Sequence, residues 1–383
     1  MSGNILMVSA DHGVAAGERG PFFYMLESFA RHWDRVDVIG TRPGSSVTTQ
    51  PFPNVHLHHP APGAESAGGK LSQGGFITRT GLALAAQRRY DVMTSHDYNP
   101  FYNGWGSWRI ARRTGIPWVS EIHHVPGFPR PASLRERFDT WATRRYVRWA
   151  APRAAGFRVV NAIELPALLS GWGVPAEKIH VLGSLYLDLA VCRPDPPAPP
   201  ACDLLMVGRL VPNKGVRQVL EAQRRLIKRG VACRLRLVGR GPEQRALQAF
   251  IDRHGLRPHV ELIPWVPDSA ALAAVYRAAR VLVCASTSEG GPRVVAEALA
   301  CGTPVVSTRV GLVPELVRDG RNGLICDGSV EDLTLKLQRL LTDPAQERAL
   351  RGALPGDLSR FEREAVIERL AEGLKEIAAS SSR

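Results

Sequence analysis

Ser288-Glu289-Gly290-Gly291-Pro292-Arg293-Val294-Val295-Ala296-Glu297-Ala298-Leu299-Ala300-Cys301-Gly302-Thr303-Pro304-Val305-Val306 sets two glutamates eight positions apart, with paired glycines between them and a strand-like apolar run behind. Pro292 suits a first helical turn and Gly302 a helix stop, so Glu289 falls in the loop feeding a helix and Glu297 inside it. A helix rises by about 1.5 Å per residue, which separates the two carboxylates by roughly 8–12 Å along the axis. That span suits an extended ligand held at two points. The positive N-terminus of the helix attracts an anion. A sugar hydroxyl on one carboxylate, a ribose on the other and a diphosphate near the helix start form a physically coherent set.

Working outward, short β-branched runs alternate with longer helical patterns. The runs are Asn4-Ile5-Leu6-Met7-Val8-Ser9-Ala10, Val36–Ile39, Tyr90–Met93, Trp118–Glu121, Phe157–Val160, Leu204–Val207, Leu235–Val238, Val281–Cys284 and Val305–Ser307. This pattern predicts parallel sheets covered by helices. The proline-rich stretch Arg193-Pro194-Asp195-Pro196-Pro197-Ala198-Pro199-Pro200 divides the chain near its middle and reads as a semi-rigid linker. The expectation is an α/β protein of two domains facing a cleft, residues 1–192 and 203–357, joined by a linker over 193–202.

The 383 residues hold 44% hydrophobic and 22% charged residues, which is globular composition rather than disordered. Six cysteines show no metal-like spacing and mostly sit in apolar runs, as free thiols of a reducing compartment do. The first apolar run lacks a basic leader and is too short for a signal peptide, and no apolar span approaches 18 residues. A cytoplasmic protein is expected. The net charge of +13 fits nucleic acid, an anionic membrane face, or phosphate-bearing ligands.

The Glu289/Glu297 stretch resembles the Glu-x7-Glu motif of retaining GT-B glycosyltransferases, specifically the "glycosyl transferases group 1" family (GT4). The resemblance implies two Rossmann-like, doubly wound domains, with a C-terminal helix over 358–383 crossing back to complete the first. It implies that Glu289 meets hydroxyls of a donor sugar beside Gly290, Gly291, Pro292 and Arg293, and that Glu297 holds the nucleotide ribose. Upstream, Val207-Gly208-Arg209-Leu210-Val211-Pro212-Asn213-Lys214-Gly215 reads as a strand, a glycine turn with two cations, then a helix. Arg209 offers a phosphate fork and Lys214 a point charge. The segment is similar to the family's Gly-Arg-Leu-x-x-x-Lys-Gly, whose cations hold the donor diphosphate. Leu262-Ile263-Pro264-Trp265-Val266-Pro267 stands where relatives read the base with backbone, which implicates Val266, while Trp265 by itself also reads as a core residue.

Leu237-Val238-Gly239-Arg240-Gly241-Pro242-Glu243-Gln244 lacks the third glycine of a dinucleotide fingerprint and reads as a tight turn. Where relatives carry a Gly-Gly pair near the donor phosphates, this chain has Gly20-Pro21, and proline has no N–H to offer. Pro117-Trp118-Val119-Ser120-Glu121-Ile122-His123-His124 puts two histidines at a strand's C-terminal end, where α/β sheets bind ligands. The register favours His123 over His124, and in relatives this histidine reaches the transferred sugar. The segment 178–188 keeps only Asp188 of the family's Pro-Asn-Gly-x-Asp.

No Asp-x-Asp occurs, so Arg209 and Lys214 are expected to neutralise the departing diphosphate without a metal or other cofactor. The nucleotide-diphosphate sugar is then a co-substrate and a glycan or lipid-linked hydroxyl the acceptor. Leu134 to Arg158 interleaves seven arginines with Phe138, Trp141, Tyr146 and Trp149, which reads either as an ordinary helix or as one lying on an anionic inner membrane face. A nucleic-acid module accounts for the charge but not for Glu-x7-Glu. A nucleotide-sugar epimerase and a non-catalytic glycosyltransferase-like protein are the alternatives on the same fold.

Overall fold

The computed structural model describes residues 3–11, 13–40, 49–60, 71–194, 200–351, 353 and 358–381. Of the predicted linker, residues 195–199 lie outside the described residues. The chain forms two compact units. One comprises Met1–His123, Trp141–Ser184 and Arg363–Arg383; the other comprises His124–Thr140 and Leu185–Glu362.

The first unit is built on seven parallel strands: β1 (Asn4–Ser9), β2 (Arg35–Gly40), β3 (Val55–His58), β4 (Val92–His96), β5 (Trp118–Ile122), β6 (Gly156–Val159) and β7 (Ile179–Val181), in the order β3-β2-β1-β4-β5-β6-β7. The second holds six: β8 (Cys202–Val207), β9 (Leu235–Val238), β10 (Val260–Ile263), β11 (Ala279–Cys284), β12 (Val305–Thr308) and β13 (Gly323–Cys326), in the order β10-β9-β8-β11-β12-β13. In each, strand order reverses beside the first strand, which is the doubly wound arrangement that leaves a ligand crevice at the carboxyl ends of the strands.

Nearly continuous apolar strands follow from burial on both faces. In β8 and β11, Leu204, Met206, Val281 and Val283 join one core, while Cys202, Leu205, Leu282 and Cys284 join another. In the first unit Ile5, Met7, Val36, Val38, Val92 and Val119 pack with Ile367, Leu370, Leu374 and Ile377 of the C-terminal helix Arg363–Ser381. Each of those four helix side chains is almost fully buried, a contribution of about 1.5–3 kcal/mol apiece. The helix thus belongs to the first unit, but it starts later than the expected 358. Phe361 lies before it and is buried in a core of the second unit, and Leu187 N–H donates to the Phe361 carbonyl at 2.7 Å. All six cysteines are free thiols and buried.

Candidate active site

In the second unit, three loops at the carboxyl ends of the strands converge. After β8 the backbone turns at Gly208 (φ 149°), and Gly215 (φ 70°) opens the helix Val216–Lys228. Any side chain at Gly215 would collide with the Ala285 carbonyl, so glycine lets the β8 loop press against the β11 loop. Hydrogen bonds hold the loops together: Thr287 N–H and Oγ1 to the Asn213 carbonyl at 2.8 and 3.5 Å, and Asn213 Nδ2 to the Ser288 carbonyl at 3.2 Å. The outcome is an ion pair between Lys214 Nζ and Glu289 Oε1, across 75 residues of sequence. Ser286 Oγ also donates to Glu289 Oε1, at 3.0 Å. Gly311, after β12, abuts the carbonyls of Glu289 and Gly290.

Glu289 stands in the loop and Glu297 within the helix Arg293–Ala300, with Pro292 immediately before it. Glu297 accepts a 2.8 Å hydrogen bond from Tyr276 Oη, and burial raises its pKa despite that bond and the nearby Arg293. Gly290 is buried and Gly291 half-buried. Arg293 is occupied locally, donating to the Tyr186 carbonyl at 2.8 Å with its guanidinium 4.8 Å from the Tyr186 ring centroid. Arg209 is exposed beside Gly208. Val266 packs its side chain on the core, whereas Trp265 is 70% exposed, which removes the core reading of that tryptophan. Gly239 and Gly241 approach the carbonyls of Gly208 and Leu210, so their absent side chains serve packing between loops, as the tight-turn reading expects.

His124 falls in this second unit. Its Nε2 is buried without a hydrogen-bond partner, and its pKa is lowered by burial and by Lys214, against the pull of Glu289. The sequence placed the weight on His123 and gave its neighbour no contact with the Lys214–Glu289 pair.

The first unit holds a separate cluster at the carboxyl ends of β4 and β5. His123 stacks on His96, ring centroids 4.4 Å apart, and its Nε2 lies 3.4 Å from Glu121 Oε2. Glu121 is fixed from behind by the buried Arg158, whose Nη1 donates to Oε1 at 3.0 Å while Nε and Nη2 donate to the carbonyls of Leu182 and Gly183. Arg158 is therefore no part of a surface patch. Burial lowers the pKa of both histidines, that of His96 to about 3, so both imidazoles are neutral near pH 7. Beside them the buried Asp97 accepts from Ser95, Ser120 and Tyr146, yet burial still lifts its pKa to about 7. Gly20 stands immediately before the helix Pro21–Phe29 with ordinary negative φ.

His96 and Glu121 were not singled out from sequence, and Arg158 was read only as part of the basic run. His96 is the last residue of β4 and obeys the same strand-end rule that drew attention to His123. Among the described residues no three His, Cys, Asp or Glu side chains gather as a metal site, and no helix is long and apolar enough to cross a membrane.

The family description "Glycosyl transferases group 1" matches residues 200–353, and "Glycosyl transferase 4-like domain" matches residues 23–184. The D-inositol 3-phosphate glycosyltransferase of Rhodococcus opacus (strain B4) is 31% identical over 306 residues, covering 75% of this chain and 67% of the relative. This chain belongs to the group 1 glycosyltransferase family. The corresponding protein of Segniliparus rotundus is 30% identical over 298 residues, 74% of this group 1 chain, and the match spans 65% of that relative's length. Among solved structures, sucrose-phosphate synthase from Thermosynechococcus elongatus superposes with a TM-score of 0.81 at 20% identity, covering 99% of this chain and 100% of that one. Anabaena HepE in complex with UDP and glucose superposes with a TM-score of 0.71, also at 20% identity, covering 97% and 98%. The group 1 chain thus has the GT-B fold, two Rossmann-like α/β domains.

Proposed function

We propose that the protein is a retaining, metal-independent glycosyltransferase that moves a hexose from a nucleotide-diphosphate sugar to a hydroxyl of a glycan or lipid-linked acceptor. The observation that carries this reading is the Lys214–Glu289 pair, brought together by loops of β8 and β11 at the mouth of the Arg293–Ala300 helix. A carboxylate already paired with a cation, in front of glycine backbone, is chemistry for sugar hydroxyls beside a phosphate. In this reading Glu289 takes the donor hydroxyls, Gly290, Gly291 and Pro292 line the sugar, and Glu297 takes the ribose. Val266 presents its backbone to the base.

As the acceptor oxygen bonds to the anomeric carbon from the face the diphosphate leaves, the bond from that carbon to the diphosphate breaks, negative charge grows on the leaving group, and the acceptor's hydroxyl proton passes to a departing phosphate oxygen. Arg209 and Lys214 stabilise that charge, with Gly208 allowing close approach of the backbone. His123, held neutral by burial and oriented by Glu121, presents an imidazole to the transferred sugar. Calorimetry with UDP-, GDP- and ADP-sugars, followed by transfer in EDTA and NMR of the product's anomeric configuration, tests the reading. No binding to any donor sinks it; an absolute need for Mg²⁺ or Mn²⁺ overturns metal independence; inversion overturns retention.

For location, the reading is a cytoplasmic enzyme docked on an anionic inner membrane face through the helix Leu134–Ala150. Leu134, Phe138 and Trp141 are 80%, 57% and 58% exposed there, beside exposed Arg135, Arg137, Arg144, Arg145 and Arg148. Each basic residue near such a surface contributes about 1 kcal/mol. Co-sedimentation with anionic but not neutral vesicles, lost when Arg144, Arg145 and Arg148 are changed to Glu, is expected. A protein that stays in the supernatant with anionic vesicles at low salt contradicts it.

A further inference from the structure

The end of the first sheet remote from His96 and His123 carries a cavity of about 900 Å³, bordered by Gly3, Asp91 and Pro117, the residues that precede β1, β4 and β5. Strands of five or six residues span about 17–20 Å, so this cavity is distinct from the histidine cluster. Trp33, Arg88, Arg89 and Lys375 also line it. Trp33 is 3% exposed, and its Nε1–H has no acceptor; Arg88 Nε is likewise buried without a partner. Native proteins rarely leave such donors unsatisfied, and an absent ligand is a standing explanation. Lys375 Nζ lies 5.1 Å from the Trp33 ring centroid. Among the described residues no carboxylate lies within ion-pairing distance of Arg88, Arg89 or Lys375.

Two of the polar groups that could compete are committed elsewhere. Tyr90 Oη donates to Asp37 at 2.7 Å, and Asp91 Oδ2 accepts the Asn4 N–H at 2.7 Å. Three cations therefore line a cavity with one carboxylate on its rim, and two of its lining residues, Trp33 and Arg88, each carry a buried N–H donor without a partner. Gln87 and Thr114 also line the cavity, and Ala85, Ala86, Ile116, Ala378 and Ala379 form an apolar wall. A dianion with several acceptor oxygens satisfies an indole N–H, a guanidinium and an ammonium at once, and the apolar wall accepts an organic body.

We propose that this cavity binds a phosphate monoester, with the phosphate held by Trp33, Arg88 and Lys375 and the organic part against the alanine-lined wall. Trp33 reports occupancy directly. The chain has eight tryptophans, so ¹⁵N-indole spectra are sparse, and Trp33→Phe assigns the signal. The full-length protein is titrated with inorganic phosphate, with a hexose phosphate, with a short-chain phosphatidic acid below micelle formation, and with chloride at matched ionic strength.

A saturable shift of the Trp33 signal with any of the phosphates, absent with chloride, is expected. Lys375→Glu and the exposed Arg89→Gln should each weaken it, the former by about tenfold or more, with donor binding by calorimetry unchanged. A response to the phosphatidic acid alone assigns the phosphate to a lipid headgroup, and a response to the hexose phosphate to a free metabolite. No Trp33 shift with any phosphate at tens of millimolar, or an equal shift with chloride, overturns the proposal. Because Arg89→Gln removes only a surface charge, its result stands even where Lys375→Glu fails to fold.

Discussion

The two strand-end clusters occupy equivalent positions, each at the carboxyl edge of a parallel, doubly wound sheet, yet their electrostatics are opposite. In the second unit Lys214 and Glu289 form a half-buried ion pair, with Arg209 exposed beside Gly208. In the first, His96 and His123 have shed their charge, and the buried ion pair Arg158–Glu121 stands behind them. One architectural position therefore supports two chemistries. Loop glycines that let charged chains meet produce the first, and side chains stacked on one another produce the second.

Breaking the charged cluster should cost most. If Lys214 holds the diphosphate as proposed, Lys214→Ala strips that cation as well as removing the ion-pair partner of Glu289. It should lower kcat/KM by about 10²–10³-fold, roughly 3–4 kcal/mol; a loss under tenfold in steady-state transfer refutes the role. His123→Ala should cost about 10²-fold. Because burial lowers its pKa, His123 is already neutral at pH 6.5, so an acid limb of the wild-type kcat/KM profile that vanishes in His123→Asn should lie below that pH. Smaller again, Glu297→Ala and Arg209→Ala should each weaken nucleotide binding by roughly 1.5–3 kcal/mol in calorimetry. Unchanged affinity in both would empty the proposed donor site.

The smallest effect concerns stability. Asp97, lifted to about 7, binds its proton more tightly in the folded protein, so stability falls as pH rises from about 4 to about 7. His96, lowered to about 3, does the reverse, and stability rises with pH up to about 6.5. Asp97→Asn removes the falling component. Its urea midpoint should climb more steeply than wild type over that window; parallel curves would show that Asp97 does not carry the proton.

What sequence revealed of the fold divides along a physical line. All nine interior strands were visible as apolar runs. The four that were not, β3, β7, β10 and β13, are the four sheet edges. Edge strands lose one neighbour, and three of these mix half-buried with buried or exposed positions, so no continuous apolar run marks them. His96 was hidden for a related reason. The strand Tyr90–Met93 reads as ending early because Thr94 and Ser95 are polar, yet both are buried within β4, where Ser95 donates to Asp97 and accepts from Trp118. The Glu289/Glu297 and Arg209/Lys214 segments were legible because turn glycines and charges stand together in short stretches. The neutral histidine cluster depends on Arg158 and Glu121, from different strands, and has no local signature.

The C-terminal helix Arg363–Ser381 supplies Ile367, Leu370, Leu374 and Ile377 to a core whose other members begin at Ile5. On the ribosome, the part of the chain that emerges first is therefore finished last. Residues 124–140 and 185–362 can condense while the first sheet still waits for its final layer. Any message or nuclease event that stops synthesis before Arg363 releases a chain with one domain whole and the other uncovered along β1, β2 and β4. Such a product would present the bare apolar face of the first sheet to chaperones and proteases.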